Sequence, residues 1–294
     1  MTLRIRNRIL LLFLFASVLF TLAVASLFIF AFATGKIVPP LEILRFFSFR
    51  NSPRFILRYD FWATVFSAFI FLLYTIATLF LIFFRFEKTQ SPEIFYFCGF
   101  LISCLLEGSR ILIPFFGLWQ TYSSTLLFIG RLILFGKFLA PMSILFTTLF
   151  SNSDQQQDAE KHFITTIIAG AIISLLIPLN TSSFSSVNTV RWGFPKMFFV
   201  LRATIFFVAI ISATIKIFAK TNLSSSKILT RQALSISLVS LGYALLACAD
   251  NYLLLVLGTA LLFVPTVFFL RDTHRLYICL PSANSHFLSL GALP

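Results

Sequence analysis

One carboxylate and four cations stand at positions where an apolar segment can least carry them. Glu107-Gly-Ser-Arg110 falls inside one long apolar run, Arg131 and Lys137 fall inside the next, and Arg202 lies near the start of a later one. Charge held in an apolar interior is expensive and tends to be functional. Glu107 and Arg110 are three residues apart, so they can meet on one face of a helix. Setting Glu107 against Arg110, Arg131 and Lys137 leaves one carboxylate to three cations, a net of +2. The run containing Arg131 and Lys137 carries 15 Leu, Ile or Phe between Leu126 and Phe150. On an insertion scale these contribute about −5 to −9 kcal/mol, against roughly +5 to +7 for two central cations. Burial is feasible, and the penalty is large enough to need a reason.

Two chemistries fit the spacing. In the structural one, Arg131 snorkels outward from a long tilted helix, and Lys137 or Arg110 pairs with Glu107 between helices. In the ligand-binding one, Glu107, Arg110, Arg131, Lys137 and Arg202 line a polar cavity whose excess positive charge suits an anion. A phosphate, a carboxylate or a lipid headgroup would qualify. Catalysis has less to work with. The chain has no H-E-x-x-H, no G-x-S-x-G and no P-loop. His162, His274 and His286 show no paired metal-ligand spacing, and Cys98, Cys104, Cys248 and Cys279 are scattered. Glu107 is the one carboxylate well inside an apolar run, so an acid–base pair there is hard to build. Neither a metal nor a cofactor is expected.

The elements that must position these residues follow from composition. The chain has 294 residues, 59% of them hydrophobic and 11% charged, with 40 Phe. Globular chains carry about 25% charged residues, so this one cannot cover a soluble surface, and a bilayer must solvate it. The formal charge of +13 is therefore read as a membrane signature, with cations at the ends of apolar runs facing lipid headgroups, and no nucleic-acid partner is expected.

A membrane-crossing helix needs about 20 apolar residues. Eight runs qualify, at 9–34, 61–84, 94–113, 122–150, 163–179, 197–218, 233–249 and 251–270. Asp250-Asn251 separates the last two, which together would make a helix nearly twice the thickness of the bilayer core. The expected fold is all-α: a polytopic transmembrane bundle of about eight spans, residues 1–270, with a short cytoplasmic tail over 271–294 and no soluble domain. The first run follows Arg4, Arg6 and Arg8 and contains Ala23-Val24-Ala25, yet it outlasts a signal peptide's apolar core. It reads as an uncleaved signal anchor.

With the N-terminus inside, about 12 Lys and Arg near the helix ends fall on the cytoplasmic side, against about seven outside. Both termini are then cytoplasmic, in a plasma or inner membrane. The first loop dissents, since it holds Arg45, Arg50, Arg54 and Arg58 among Phe, Leu and Ile. That pattern suits a segment lying in the headgroup layer. The polar stretch from Asn180 to Thr189 reads as an outward loop, and Asn180-Thr181-Ser182 fits a glycosylation acceptor.

These features point to a non-catalytic membrane protein acting as a sensory or scaffolding subunit, with lipids and a protein partner in the membrane. The alternative is a small transporter or lipid-handling protein that binds an anion at the basic cluster.

Overall fold

Chains of Leu, Ile and Phe that must satisfy their own backbone in lipid have one local solution, the helix. The computed structural model describes residues 3–35, 59–87, 91–118, 124–149, 159–185, 187–219 and 223–290, and its helices fall on the expected runs. They are α1 (Leu3–Ala33), α2 (Phe61–Phe86), α3 (Pro92–Gly108), α4 (Ser124–Leu149), α5 (Ala159–Leu176), α6 (Pro195–Ala219), α7 (Leu223–Ala247) and α8 (Tyr252–Leu290). After Gly108, α3 tightens into a 3-10 turn over Ser109–Ile111 and resumes as helix over Leu112–Phe115. Seven of these segments are long and apolar enough to cross a membrane. The eighth, α5, has 18 residues, about 27 Å at 1.5 Å per residue, just short of a core of about 30 Å.

Local chemistry sets several starts. Asp60 caps α2 by accepting a hydrogen bond from the Trp62 amide at 2.7 Å. Ser91 caps α3, with Pro92 in the first turn where no amide is needed. At the α7–α8 break, Asn251 Oδ1 accepts from the Leu254 amide at 2.8 Å. The Asp60 amide donates to the Asp250 carbonyl at 2.9 Å, so the start of α2 and the α7–α8 turn share one end of the bundle. Beside them, burial and then the charges of Asp250 and Asp60 hold the Tyr59 phenol above its ordinary range. The opposite end is marked by Arg6, whose guanidinium reaches the Phe86 carbonyl at 2.5 Å.

Helices α3 and α4 form the centre, paired with each other, and α7 pairs closely with α8. Buried aromatics join the two pairs: Phe97 packs on Phe269, Phe100 on Tyr243, and Phe71 of α2 on Tyr243. Tyr74 and Thr266 share a buried 2.7 Å hydrogen bond between α2 and α8. In contrast, α1 and α6 leave most of their apolar surface uncovered: Leu12, Leu22, Phe199 and Phe207 are exposed.

One segment departs from the sequence reading. The polar stretch after α5 is not simply a loop: β1 (Leu179–Phe184) pairs antiparallel with β2 (Val190–Trp192), making the fold nearly rather than wholly all-α. Ser, Thr and Asn dominate the stretch, whereas the pairing is held by its few apolar residues. Val190 packs with Leu126, Ile129 and Ile133 of α4, and Leu179 lies against them. Asn188, at φ +56°, turns the hairpin and donates to Thr64 Oγ1 at 2.8 Å. Arg45, Arg50, Arg54 and Arg58 lie outside the described residues.

The α7–α8 crossing depends on one missing side chain. A Cβ on Gly242 would stand 2.6 Å from the Leu261 carbonyl carbon and the Leu262 amide nitrogen, both backbone atoms that cannot swing aside. Gly242→Ala is expected to lower the melting temperature of the detergent-solubilised protein, with an overpacking penalty of about 1–3 kcal/mol. Gly170→Ala, whose Cβ would meet only the Phe135 ring at 3.2 Å, is expected to change it far less.

Candidate functional site

Glu107 is completely buried, as are Arg110 and Lys137 to within 2%. Such burial inside the bundle requires each charge to be answered. Lys137 Nζ, from the middle of α4, donates to Glu107 Oε1 at 2.6 Å. Gly136 beside it makes this reach possible, since a Cβ there would stand 3.1 Å from the Ser103 carbonyl oxygen of α3. Arg110, one turn beyond Glu107, approaches the same Oε1 at 3.5 Å. Its fork points elsewhere: Nη1 donates to the Ala247 carbonyl at 3.1 Å and Nη2 to Ser67 Oγ and the Leu246 carbonyl. The guanidinium carbon also lies 5.8 Å from the centre of the Phe71 ring. A single carboxylate and two cations thus tie α2, α3, α4 and the end of α7 together.

Arg131 and Arg202 do not complete that triad. Arg131 donates to the Ser174 and Ile177 carbonyls at the end of α5. A cation there also meets the negative end of the α5 dipole. Arg202 is half-buried on α6 and stacks over Phe198, one turn back on its own helix, at 5.5 Å. It stays within electrostatic range of Lys137, which itself lies 5.7 Å from the Trp192 ring centre.

Four buried polar atoms around this cluster have no hydrogen-bond partner among the described residues: Glu107 Oε2, Arg110 Nε, Arg202 Nε and the Tyr243 hydroxyl. Tyr243 belongs to α7, is fully buried, and feels the charges of Glu107, Arg202 and Arg110. The apolar spacing of α7 marks Tyr243 as core, so the residue types and spacing gave no sign of this role. These groups leave one hydroxyl, two guanidinium N–H donors and one carboxylate oxygen unanswered in the interior of the described residues. Among the described residues no cluster of His, Cys, Asp and Glu could hold a metal ion.

A second ionic link lies at the opposite end. Arg231 of α7 grips Asp272 of α8 with two donors, Nε at 2.5 Å from Oδ2 and Nη2 on Oδ1. Next to it, Gln232 donates to Thr273 Oγ1 at 3.0 Å.

The central triad makes an ordered prediction. Glu107→Gln leaves Lys137 and Arg110 facing each other without a carboxylate, and breaking a buried pair costs about 3–5 kcal/mol. Lys137→Met leaves Glu107 its Arg110 partner and is expected to be milder. The double variant Glu107→Gln, Lys137→Met is expected to be more stable than Glu107→Gln alone. Thermal melts of the four proteins in one detergent measure this order, and equal losses for all three variants would contradict it.

At the end of α5, Arg131→Gln is expected to cost about 1 kcal/mol of local stability, read as faster amide exchange confined to the last turn of that helix. No protein-family profile matches this chain, and no curated protein is significantly similar to it.

Proposed function

We propose that this chain is a non-catalytic, multi-pass membrane protein that serves as a sensory or scaffolding subunit of a membrane assembly. The observation that supports this most is the closure of Glu107. A fully buried carboxylate held by Lys137 at 2.6 Å is a fastening between helices. The intramembrane charge is largely consumed in holding the bundle. Meanwhile α1 and α6 leave Phe15, Leu22, Phe199 and Phe207 more than 60% exposed. Surfaces of this kind suit either lipid or a partner's helix. Orientation follows the positive-inside rule: the Arg6 end faces the cytoplasm, with both termini there, in a plasma or inner membrane.

The second reading, a small transporter or lipid-handling protein, draws support from the unpartnered Glu107 Oε2, Tyr243 hydroxyl and Arg202 Nε. An anion accepting from Tyr243 and Arg202 would answer the excess of positive charge around Lys137.

Intact mass of the native protein, extracted in mild detergent, separates the two. A second protein retained at fixed stoichiometry is the expected result. A lone chain carrying one anionic solute or lipid that Arg202→Ala releases would replace the subunit reading with the second one.

A further inference from the structure

A hairpin tip ordinarily lies in water, which serves its unpaired polar groups. The β1–β2 hairpin turns its tip the other way. Val187, Asn188, Thr189 and Val190 are no more than 8% exposed, whereas Asn180, Arg191 and Phe194 at the base are exposed. The tip is folded into the bundle, against the start of α2 on one side and α4 on the other. Two polar side chains go in with it. Asn188 Nδ2 donates to Thr64 Oγ1 at 2.8 Å, but Asn188 Oδ1 and Thr189 Oγ1 have no hydrogen-bond partner among the described residues. Unanswered polar groups cost stability that apolar residues in the same space would keep. Stability alone does not account for a polar tip in this place.

The ionic cluster lies behind the tip. Thr64 is three residues before Ser67, whose Oγ donates to the Thr64 carbonyl at 2.7 Å and accepts from Arg110 Nη2. Arg110 leads to Glu107, and Glu107 to Lys137. The same hairpin reaches the other side of the cluster through Trp192, whose ring centre is 5.7 Å from Lys137 Nζ. One short hairpin thus covers both flanks of the buried charge from the Asp60 end of the bundle.

Its construction is in two parts. The base is pinned: Leu179 pairs with Trp192 and Asn180 with Arg191, the Gly193 amide donates to the Pro178 carbonyl at 2.9 Å, and Trp192 packs on Phe198 at 4.4 Å. The register then jumps to Phe184 opposite Val190, an irregularity of the kind that bends a ribbon. Beyond it the tip closes on itself. The Ser185 amide donates to the Thr189 carbonyl at 2.8 Å, and the Asn188 amide donates to the Ser185 carbonyl at 3.1 Å. Among the described residues, the bond to Thr64 is the one hydrogen bond that the Asn188 and Thr189 side chains make.

We propose that the β1–β2 hairpin is a re-entrant plug, whose tip at residues 187–189 closes the approach to the Glu107, Arg110 and Lys137 cluster and lifts about the bulge to open it. Lifting returns Asn188 and Thr189 to water and admits water toward Ser67 and Arg110. The plug holds under either reading of the cluster. It shields the fastening in the first and occludes the anion in the second, and access to Ser67 is read without any ligand.

Thiol modification tests it, in full-length protein with Cys98, Cys104, Cys248 and Cys279 replaced by Ala. Ser67→Cys places one thiol behind the tip. Thr75→Cys places one about two turns further along the same helix, where Thr75 is as fully buried as Ser67. A small charged methanethiosulfonate reacts only where water reaches, so its rate follows the open population. Asn188→Gly keeps the left-handed backbone available and removes the bond to Thr64. It is expected to speed modification of Ser67→Cys about tenfold, the worth of one buried hydrogen bond, and to leave Thr75→Cys unchanged. Thr64→Val cuts the same bond from the other side and serves if Asn188→Gly fails to accumulate. If Ser67→Cys is the variant that fails, amide exchange in the otherwise native chain gives the same comparison, faster around Ser67 and unchanged around Thr75.

Equal acceleration at both positions would overturn the proposal, because it would mean a general loosening of the bundle. An unchanged rate at Ser67 once the bond is cut would overturn it as well, by showing that the tip does not govern access.

Discussion

A helix ending inside or at the edge of a bilayer leaves its last carbonyls without partners, and lipid supplies no donors to replace them. Three arginines answer this constraint here. Arg6 closes the end of α2 through the Phe86 and Glu87 carbonyls, Arg110 closes α7 through Leu246 and Ala247, and Arg131 closes α5 through Ser174 and Ile177. The guanidinium suits the task because its fork can serve two carbonyls at once and stays charged. In each case the arginine comes from a different helix than the one it closes. The same bonds that satisfy the backbone therefore also decide which helices stand next to each other.

Glu107 acquires its meaning from that arrangement. Arg110 is committed to the end of α7, and a lone cation buried against Phe71 and Ser67 would be costly even with carbonyl partners. Glu107, one turn away, supplies the compensating charge. It can do so only while its own second partner, Lys137, is brought close by the tight α3–α4 contact at Gly136. A hydrophobic replacement of the whole set could pack as well, so its value lies in specifying one register of α2, α3, α4 and α7. Apolar contacts in a membrane cannot easily enforce that choice, since lipid tails solvate Leu and Phe as well as a neighbouring helix does.

Much of this was legible from residue types. The apolar runs locate the eight long helices of the described residues, and Asp250-Asn251 falls at the α7–α8 turn because two charged or polar residues there favour a capped start. The Glu107–Lys137 pairing was one of two readings open from the sequence, and spacing alone could not choose between them. What stayed hidden was partnership across long separations. Nothing local marks Tyr243 as a neighbour of Glu107, or Ser174 and Ile177 as the acceptors of Arg131. The hairpin was obscured for a different reason. Its Ser, Thr and Asn content signals a turn, while its stability comes from Leu179 and Val190 lying on α4, a contact invisible until the helices are placed.

The bundle is consequently uneven in how firmly its parts are held. Helices α2, α3, α4, α7 and α8 share buried aromatics, the Glu107 triad and the Tyr74–Thr266 bond. Helix α1 has its ends and one aromatic strip, with Phe28 against Trp62 and Phe69, while most of its length faces outward. Helix α6 is equally uncovered, meeting the centre through Phe198 on Phe138 and Phe206 on Tyr243. A ligand or partner acting on this protein works against the weakest attachments first. For α6 that attachment runs through Tyr243, whose ring contacts the helix and whose hydroxyl stands in the field of Glu107 and Arg202. Tyr243 thus joins the surroundings of the buried cluster to a helix with a largely free outer face.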